Sequence, residues 1–311
     1  MANSSTTYSS GSSPRKILFA ASEALPLIKT GGLADVAGSL PPALSLLDLD
    51  VRLVIPAYPQ AVERAIPLKT VATIRISGVP EPVRILEETI DEKLHVYLID
   101  APSMFSRPGN PYTEASGRPW GDNAQRFALF CRAVVRIALN QAGLGWHPDV
   151  VHCNDWQTGL VPALLRSELK NEPFYAGTAS LLTIHNLGYQ GMFGPEILAE
   201  LGLDRRLGSM EGMEYYGNLS FLKGGLIFSD LLNTVSETYC REIQTPAYGC
   251  GFDGILRHRG DDLFGILNGL DTELWDPLRD ATLAAPYSHA DMHGKALCKR
   301  ALQQELGLEI D

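Results

Sequence analysis

The sequence is organised as a recurring unit, a short unbroken apolar run that stops at a glycine or a polar residue and gives way to helically spaced apolar residues. Lys16-Ile-Leu-Phe-Ala-Ala21 is the first such run. Residues 51–55, ending at Pro56, and residues 149–153, which lead into a helix expected from about Trp156 to Leu169, are the next two. Residues 181–184, 231–235 and a weaker run at 263–267 complete the series. A strand without polar alternation is covered on both faces, and strands that alternate with helices are joined by crossovers. The pattern therefore predicts an α/β fold, a Rossmann-like doubly wound parallel sheet. Helical spacing is clearest at Phe127, Phe130, Val134 and Ile137. Two regions break the rhythm. Residues 74–76, 83–85 and 94–98 read as strands with little between them, which predicts an antiparallel hairpin insertion. Residues 102–120, rich in Pro, Gly, Ser, Tyr and Arg, read as a long loop of the kind that often carries function.

Composition narrows the class. At 311 residues and 45% hydrophobic, the chain has ample material for a buried core, in one large domain or two medium ones. Its 26 basic against 36 acidic residues give a net charge of −10, with no Lys/Arg-rich block, which argues against nucleic acid or an anionic membrane as partner. No run approaches the roughly 18 apolar residues of a membrane-spanning helix. The first thirteen residues hold six serines and no charge. They fit neither a signal peptide nor a transit peptide, and residues 1–14 are expected to be a disordered tail. Five cysteines, Cys131, Cys153, Cys240, Cys250 and Cys298, form no C-x-x-C pair and mostly sit in apolar patterns, pointing to a reducing cytoplasm.

Chemistry gathers where the apolar runs end. In Lys29-Thr-Gly-Gly-Leu-Ala-Asp35, Gly31 and Gly32 precede a helical pattern (Leu33, Val36, Ala37, Leu40, Leu44), where backbone N–H groups and a positive helix end meet phosphate. Lys29 adds a charge, and Asp35 is placed to orient a sugar hydroxyl. The loop is neither a Walker A nor a G-x-G-x-x-G, and a tight turn with an exposed lysine is the plain alternative. His185 and Asn186 close the run at 181–184, at the sheet edge where α/β ligands collect; the alternative for His185 is a buried histidine satisfied by hydrogen bonds. Asp155-Trp156 pairs a carboxylate with an aromatic platform suited to a sugar, or else is a helix N-cap followed by the first buried residue. Asn268-Gly269 by itself reads as a turn. Gly249-Cys-Gly-Phe-Asp-Gly254 fits a dinucleotide motif but follows no strand. His289 and His293, spaced i, i+4 on an expected helix over 288–306, lack the glutamate of a zinc motif and read as surface histidines. His152 and Cys153 point to opposite faces of one strand, so no metal site is expected.

The glycine loop resembles the N-terminal signature of bacterial glycogen synthases and plant starch synthases, retaining glucosyltransferases of the two-domain GT-B fold that use ADP-glucose. The resemblance continues in order through Arg107-Pro-Gly-Asn-Pro-Tyr112, Asp149-Val-Val-His-Cys-Asn-Asp-Trp156, Thr183-Ile-His-Asn-Leu-Gly-Tyr-Gln-Gly191, Asn218-Leu-Ser-Phe-Leu-Lys-Gly-Gly225, Thr234-Val-Ser-Glu-Thr-Tyr239 and Leu267-Asn-Gly-Leu-Asp271. It covers nearly all of residues 15–306. It implies glucose transfer from ADP-glucose to the non-reducing 4-OH of an α-1,4-glucan (glycogen or a maltooligosaccharide) with retention, without cofactor or metal. The resemblance implies His185 at the glucosyl ring and Asp155-Trp156 on the glucan acceptor side, and His185 and Asp155 are the catalytic candidates. Lys29, Gly31, Gly32, Asn186 and Asn268 are implied at the donor, and Asp35, Tyr112 and Trp156 at the glucan acceptor.

The resemblance also implies a second domain that supplies the adenine pocket, an Arg/Lys pair on the diphosphate and a catalytic-site glutamate. None of those motifs occurs before Asp311. Residues 15–285 are therefore expected to be the N-terminal catalytic domain, and 286–311 a helix leading toward the second, with the chain inactive alone. A non-catalytic glucan-binding or interaction module that keeps only the fold is the rival reading.

Overall fold

The computed structural model describes residues 14–90, 94–167 and 177–310. The expected tail, Pro14 apart, and the last two residues of the helix expected over 156–169 lie outside these. Contacts divide the chain after Asn268 into a large unit and a small C-terminal one.

In the large unit the apolar runs become strands β1 (Lys16–Ala20), β2 (Asp50–Pro56), β3 (Lys69–Ile74), β4 (Val83–Ile90), β5 (Leu94–Asp100), β6 (Val150–Asn154) and β7 (Ala179–Ile184). After them come β8 (Met192–Phe193), β9 (Glu214–Tyr215), β10 (Asn218–Ser220), β11 (Leu231–Thr234) and β12 (Leu263–Gly265). The main sheet has the order β12-β11-β7-β6-β1-β2-β5-β4-β3. Neighbours from β12 through to β5 are parallel, and β5, β4 and β3 pair antiparallel. Leu18, Phe19, Ala20, Leu53, Val54 and Ile55 are wholly buried, as continuous apolar runs require when both sheet faces are covered. The helix Asn123–Ala138 buries Phe127, Phe130, Val134 and Ile137 completely.

The antiparallel part belongs to the edge of the main sheet, with β5 itself parallel to β2. Strand β3 lies earlier than residues 74–76 because Ile76 opens a turn: Val79 N–H donates to the Ile76 carbonyl, and Gly78 has φ +82°. A three-stranded antiparallel sheet, β8-β10-β9, has no counterpart in the sequence reading. The helix expected from Trp156 is a 3-10 turn, Trp156–Thr158, and then an α-helix, Leu160–Ser167. Gly159 between them lies against the start of the helix Phe221–Phe228, where a Cβ would stand 2.2 Å from the Phe221 carbonyl oxygen.

The C-terminal unit carries the helix His293–Glu305. It begins later than residue 288 because Ser288 Oγ accepts from the Ala290 and Asp291 N–H groups in a turn, and Asp291 accepts from His293 N–H at 3.0 Å. His289 and His293 therefore do not share a helix face.

The chain reverses its winding once. From β1 it builds outward through β2 to β5, then returns to lay β6 on the other side of β1. The loops after β1 and β6 flank this reversal, the place where ligands of doubly wound sheets generally gather. Packing at Gly159 holds the helix that follows β6. Gly159→Ala is expected to destabilise the fold by about 1–3 kcal/mol, read as a lower urea midpoint at unchanged m-value.

Candidate functional site

The carboxyl ends of β1, β6 and β7 bring three sequence-predicted groups together. After β1, the chain turns through Glu23 and the glycine loop into the helix Gly32–Ser45. The N-cap of that helix, Gly31, is extended and supplies no side-chain cap; its own N–H donates to the Glu23 carboxylate and Ala34 N–H to the Gly31 carbonyl, so the N–H groups of Gly32 and Leu33 are the uncapped ones. A Cβ on Gly32 would meet nothing within 4 Å, and one on Gly31 only Glu23 Oε1 at 3.7 Å. The glycines thus border free space. Gly38, one turn further, is a packing glycine, since a Cβ there would lie 2.4 Å from the Leu25 carbonyl oxygen. Lys29 Nζ donates to both oxygens of Asp35 at 2.7 Å. The structure gives the Asp35 carboxylate to Lys29.

After β6, Asp155 has φ +56° and ψ −172°, a region that non-glycine residues avoid. That conformation turns its side chain away from the helix it precedes. It caps nothing there. Instead Asp155 Oδ1 accepts from His185 N–H at 2.8 Å and Asn186 N–H at 3.3 Å, so the carboxylate of one strand end fixes the backbone of the next. Asp155 is 8% exposed, and burial is the main cause that lifts its carboxyl from 3.8 to about 7, the nearby Glu23 charge adding to it.

His185 Nε2 lies 2.9 Å from Asn154 Oδ1. Asn154 is fully buried, and its Nδ2 donates to the Ala20 carbonyl at 3.0 Å, bridging β6 to β1. With Oδ1 thereby fixed as the acceptor, His185 carries its proton on Nε2 and leaves Nδ1 as a lone pair. Burial lowers His185 to about 4, so this neutral form holds at pH 7. His152 is likewise neutral: burial lowers it to about 3, and Nε2 lies 2.6 Å from Thr183 Oγ1, which donates to Asn233 Oδ1. Asn186 Oδ1 accepts from Gly188 N–H at 2.9 Å and so shapes the loop after β7.

The long loop is pinned to the same edge by a buried guanidinium. Arg126 Nε donates to the Met104 carbonyl and Nη1 to the Pro111 carbonyl, each at 2.8 Å, while Asn123 Nδ2 donates to the Tyr112 carbonyl at 3.0 Å. Half-buried Tyr112 then places its hydroxyl 2.7 Å from Ser22 Oγ, beside the end of β1. Trp156 is only 9% exposed. Phe127 and Phe193 meet its ring edge-on, and Gly191, at φ +58°, lies so close that a Cβ would stand 2.5 Å from the indole. The ring is walled in and offers no open platform. Asn268 follows β12, three strands away from β6 in the sheet order. Residues 245–252 are turns ahead of the short helix Asp253–His258, with no strand before them.

Glu23 and Asn154 were missed by the sequence reading. Each is a polar residue just past or at the end of an apolar run, and only the strand order reveals that those two runs lie side by side at the winding reversal.

Fold and site together define an α/β protein whose doubly wound sheet carries, at its carboxyl edge, a glycine loop beside a buried carboxylate–imidazole cluster. A family model for the starch synthase catalytic domain matches residues 16–258. Glycogen synthase 1 of Methylococcus capsulatus is 49% identical over 95% of this chain and 58% of its own length. The glycogen synthase of Syntrophotalea carbinolica is 50% identical over 95% of this chain and 60% of its own. Among solved structures, the catalytic domain of Starch Synthase IV from Arabidopsis thaliana, bound to ADP and acarbose, matches with a TM-score of 0.81 and 31% identity, covering 96% of this chain and 60% of that one. The chain belongs to the starch synthase catalytic domain family. It spans about three fifths of the length of these relatives. Among the described residues no helix is long and apolar enough to cross a membrane.

The buried carboxyl sets a pH dependence. Between about pH 4 and 7 the folded chain keeps a proton on Asp155 that the unfolded chain has lost, so this group's contribution is full below pH 4 and gone above pH 7. The two histidines act oppositely: their contribution is full above pH 6.5 and is lost as the pH falls toward 4 and 3. Asp155→Asn keeps an oxygen for the His185 N–H without the buried charge. Its melting temperature is expected to exceed that of the parent at pH 8, with the gap closing by pH 4.

Proposed function

We propose that this chain forms the N-terminal part of an enzyme that transfers glucose from ADP-glucose to the non-reducing 4-OH of an α-1,4-glucan with retention. The observation that carries this reading is the placement of the family's glycine loop directly across the winding reversal from Asp155 and His185. The ADP and acarbose bound to the Arabidopsis relative support a donor carrying ADP and a saccharide acceptor.

In this reading the uncapped N–H groups after Gly31, at Gly32 and Leu33, with Lys29 held by Asp35, bind the donor diphosphate where Gly31 and Gly32 leave room for it, and stabilise the departing ADP. Asp35 acts through Lys29, although the family resemblance assigns it to the acceptor. Asp155 fixes the backbone at His185 and Asn186. The neutral His185 imidazole and its backbone carbonyl then face the glucosyl ring, where positive charge develops. Tyr112 meets the glucan. Trp156 supports Asp155 from the core, and Asn268 stands at the donor side of a cleft with the second domain. Residues 15–285 make up the catalytic domain and 286–311 lead toward that partner domain, in a cytoplasmic protein without cofactor or metal.

A domain lacking the second domain's cationic pair leaves the diphosphate without its main electrostatic stabilisation. The 311-residue chain, incubated with labelled ADP-glucose and a glycogen primer, is expected to incorporate no label, and the same chain joined to the second domain is expected to extend the primer. Sustained incorporation by the chain alone sinks the division of labour. A two-domain protein inactive with ADP-glucose sinks the function. In the two-domain protein, Lys29→Ala is expected to raise the ADP-glucose KM about tenfold or more, with the glucan KM within about twofold.

A further inference from the structure

Glu23 is the best-buried carboxylate at the carboxyl edge, 3% exposed, yet it has no cation partner among the described residues. Its Oε2 accepts a short hydrogen bond from Thr30 N–H, the residue directly ahead of the two glycines. The carboxylate also accepts from the Thr30 hydroxyl and the Gly31 N–H. It sits two strand-end loops away from Asp155 and close enough for its charge to act on that group, as well as on Tyr58 and Tyr112. A buried carboxylate is costly unless its acceptor capacity is used, and here the partners are the Thr30 hydroxyl and two backbone N–H groups of an otherwise exposed loop. The geometry therefore makes the loop depend on this side chain: Thr30 and the glycines are exposed, and no side chain caps the helix behind them.

We propose that Glu23 is the positioning residue of the glycine loop, a strut whose length, rather than its charge, holds the Thr30 and Gly31 N–H groups inward so that the N–H groups of the helix behind them, at Gly32 and Leu33, face outward to the ligand. This rests on the reading of that loop as the diphosphate site. Glu23 makes no contact with the donor. It acts through Thr30 and Gly31.

Two conservative substitutions separate length from charge. Glu23→Gln keeps the reach and an acceptor oxygen but drops the charge. Glu23→Asp keeps the charge but is one methylene too short for Thr30. The first measurement uses the 311-residue chain and no substrate: hydrogen–deuterium exchange of a peptide spanning residues 29–33. Glu23→Asp is expected to speed exchange of the Thr30 amide about tenfold or more, and Glu23→Gln to leave it within about threefold of the parent. Equal exchange in all three proteins, or faster exchange in Glu23→Gln than in Glu23→Asp, overturns the strut.

The second measurement uses the two-domain enzyme. Glu23→Asp is expected to raise the ADP-glucose KM about tenfold with the glucan KM within about twofold, and Glu23→Gln to keep both near the parent. A Glu23→Gln enzyme as impaired as Glu23→Asp overturns the proposal by showing that the charge itself is used. The exchange result stands whether or not the protein turns over ADP-glucose, so failure of the functional reading is told apart from failure of the strut.

Discussion

The bond from the Asp155 carboxylate to the backbone N–H of His185 is the contact on which the site depends. It crosses from the end of one parallel strand to the end of the next, at the side of the sheet where the winding reverses. Asp155 adopts a backbone conformation that costs about 1–3 kcal/mol for a non-glycine residue, which the surrounding packing must offset. Trp156, walled in by Phe127, Phe193 and Gly191, supplies that packing on the next residue. Strain at one residue and burial at its neighbour are thus two parts of one arrangement, and the result is a fixed backbone at His185 and Asn186.

Around that bond, charge is kept low. His152 and His185 stay neutral because burial disfavours their protonation, and their hydrogen bonds to Thr183 and Asn154 accommodate the neutral rings. Glu23 and Asp155 are both raised by desolvation, and each holds backbone N–H groups in place of a cation. The one exposed cation of the glycine loop, Lys29, is anchored by Asp35. The edge therefore presents backbone dipoles and neutral rings more than free ions, an arrangement that changes little when a charged ligand arrives.

The long segment 102–120, which begins with the short helix Pro102–Phe105 and is otherwise mostly irregular, shows how such a stretch is made definite. Arg126 lies in a helix and spends its donors on loop carbonyls, so the loop is held by the core at the point where Tyr112 reaches Ser22. A lysine could not do this as well, since the planar guanidinium directs separate N–H groups at Met104 and Pro111 at once.

Strand positions, the helix Asn123–Ala138 and the glycine loop were legible in the sequence, because burial on both faces of a parallel sheet and helical periodicity leave a direct mark on local residue order. His185 and Asp155, each standing where an apolar run stops, and Lys29, just ahead of two glycines, could be singled out from local residue order alone. The start of the helix His293–Glu305, the shift of β3 and the edge placement of the antiparallel strands were not, since they turn on single hydrogen bonds and on which strand pairs with which. Nor was the role of Asp155 visible: an aspartate ahead of a helix looks like an N-cap until its φ is known. Glu23, Asn154 and the enclosure of Trp156 belong to the same class. Sequence alone determined which residues end the strands, because that is a local property. Only the tertiary structure decided which of those ends meet, because strand order and the reversal between β1 and β6 join residues more than a hundred positions apart.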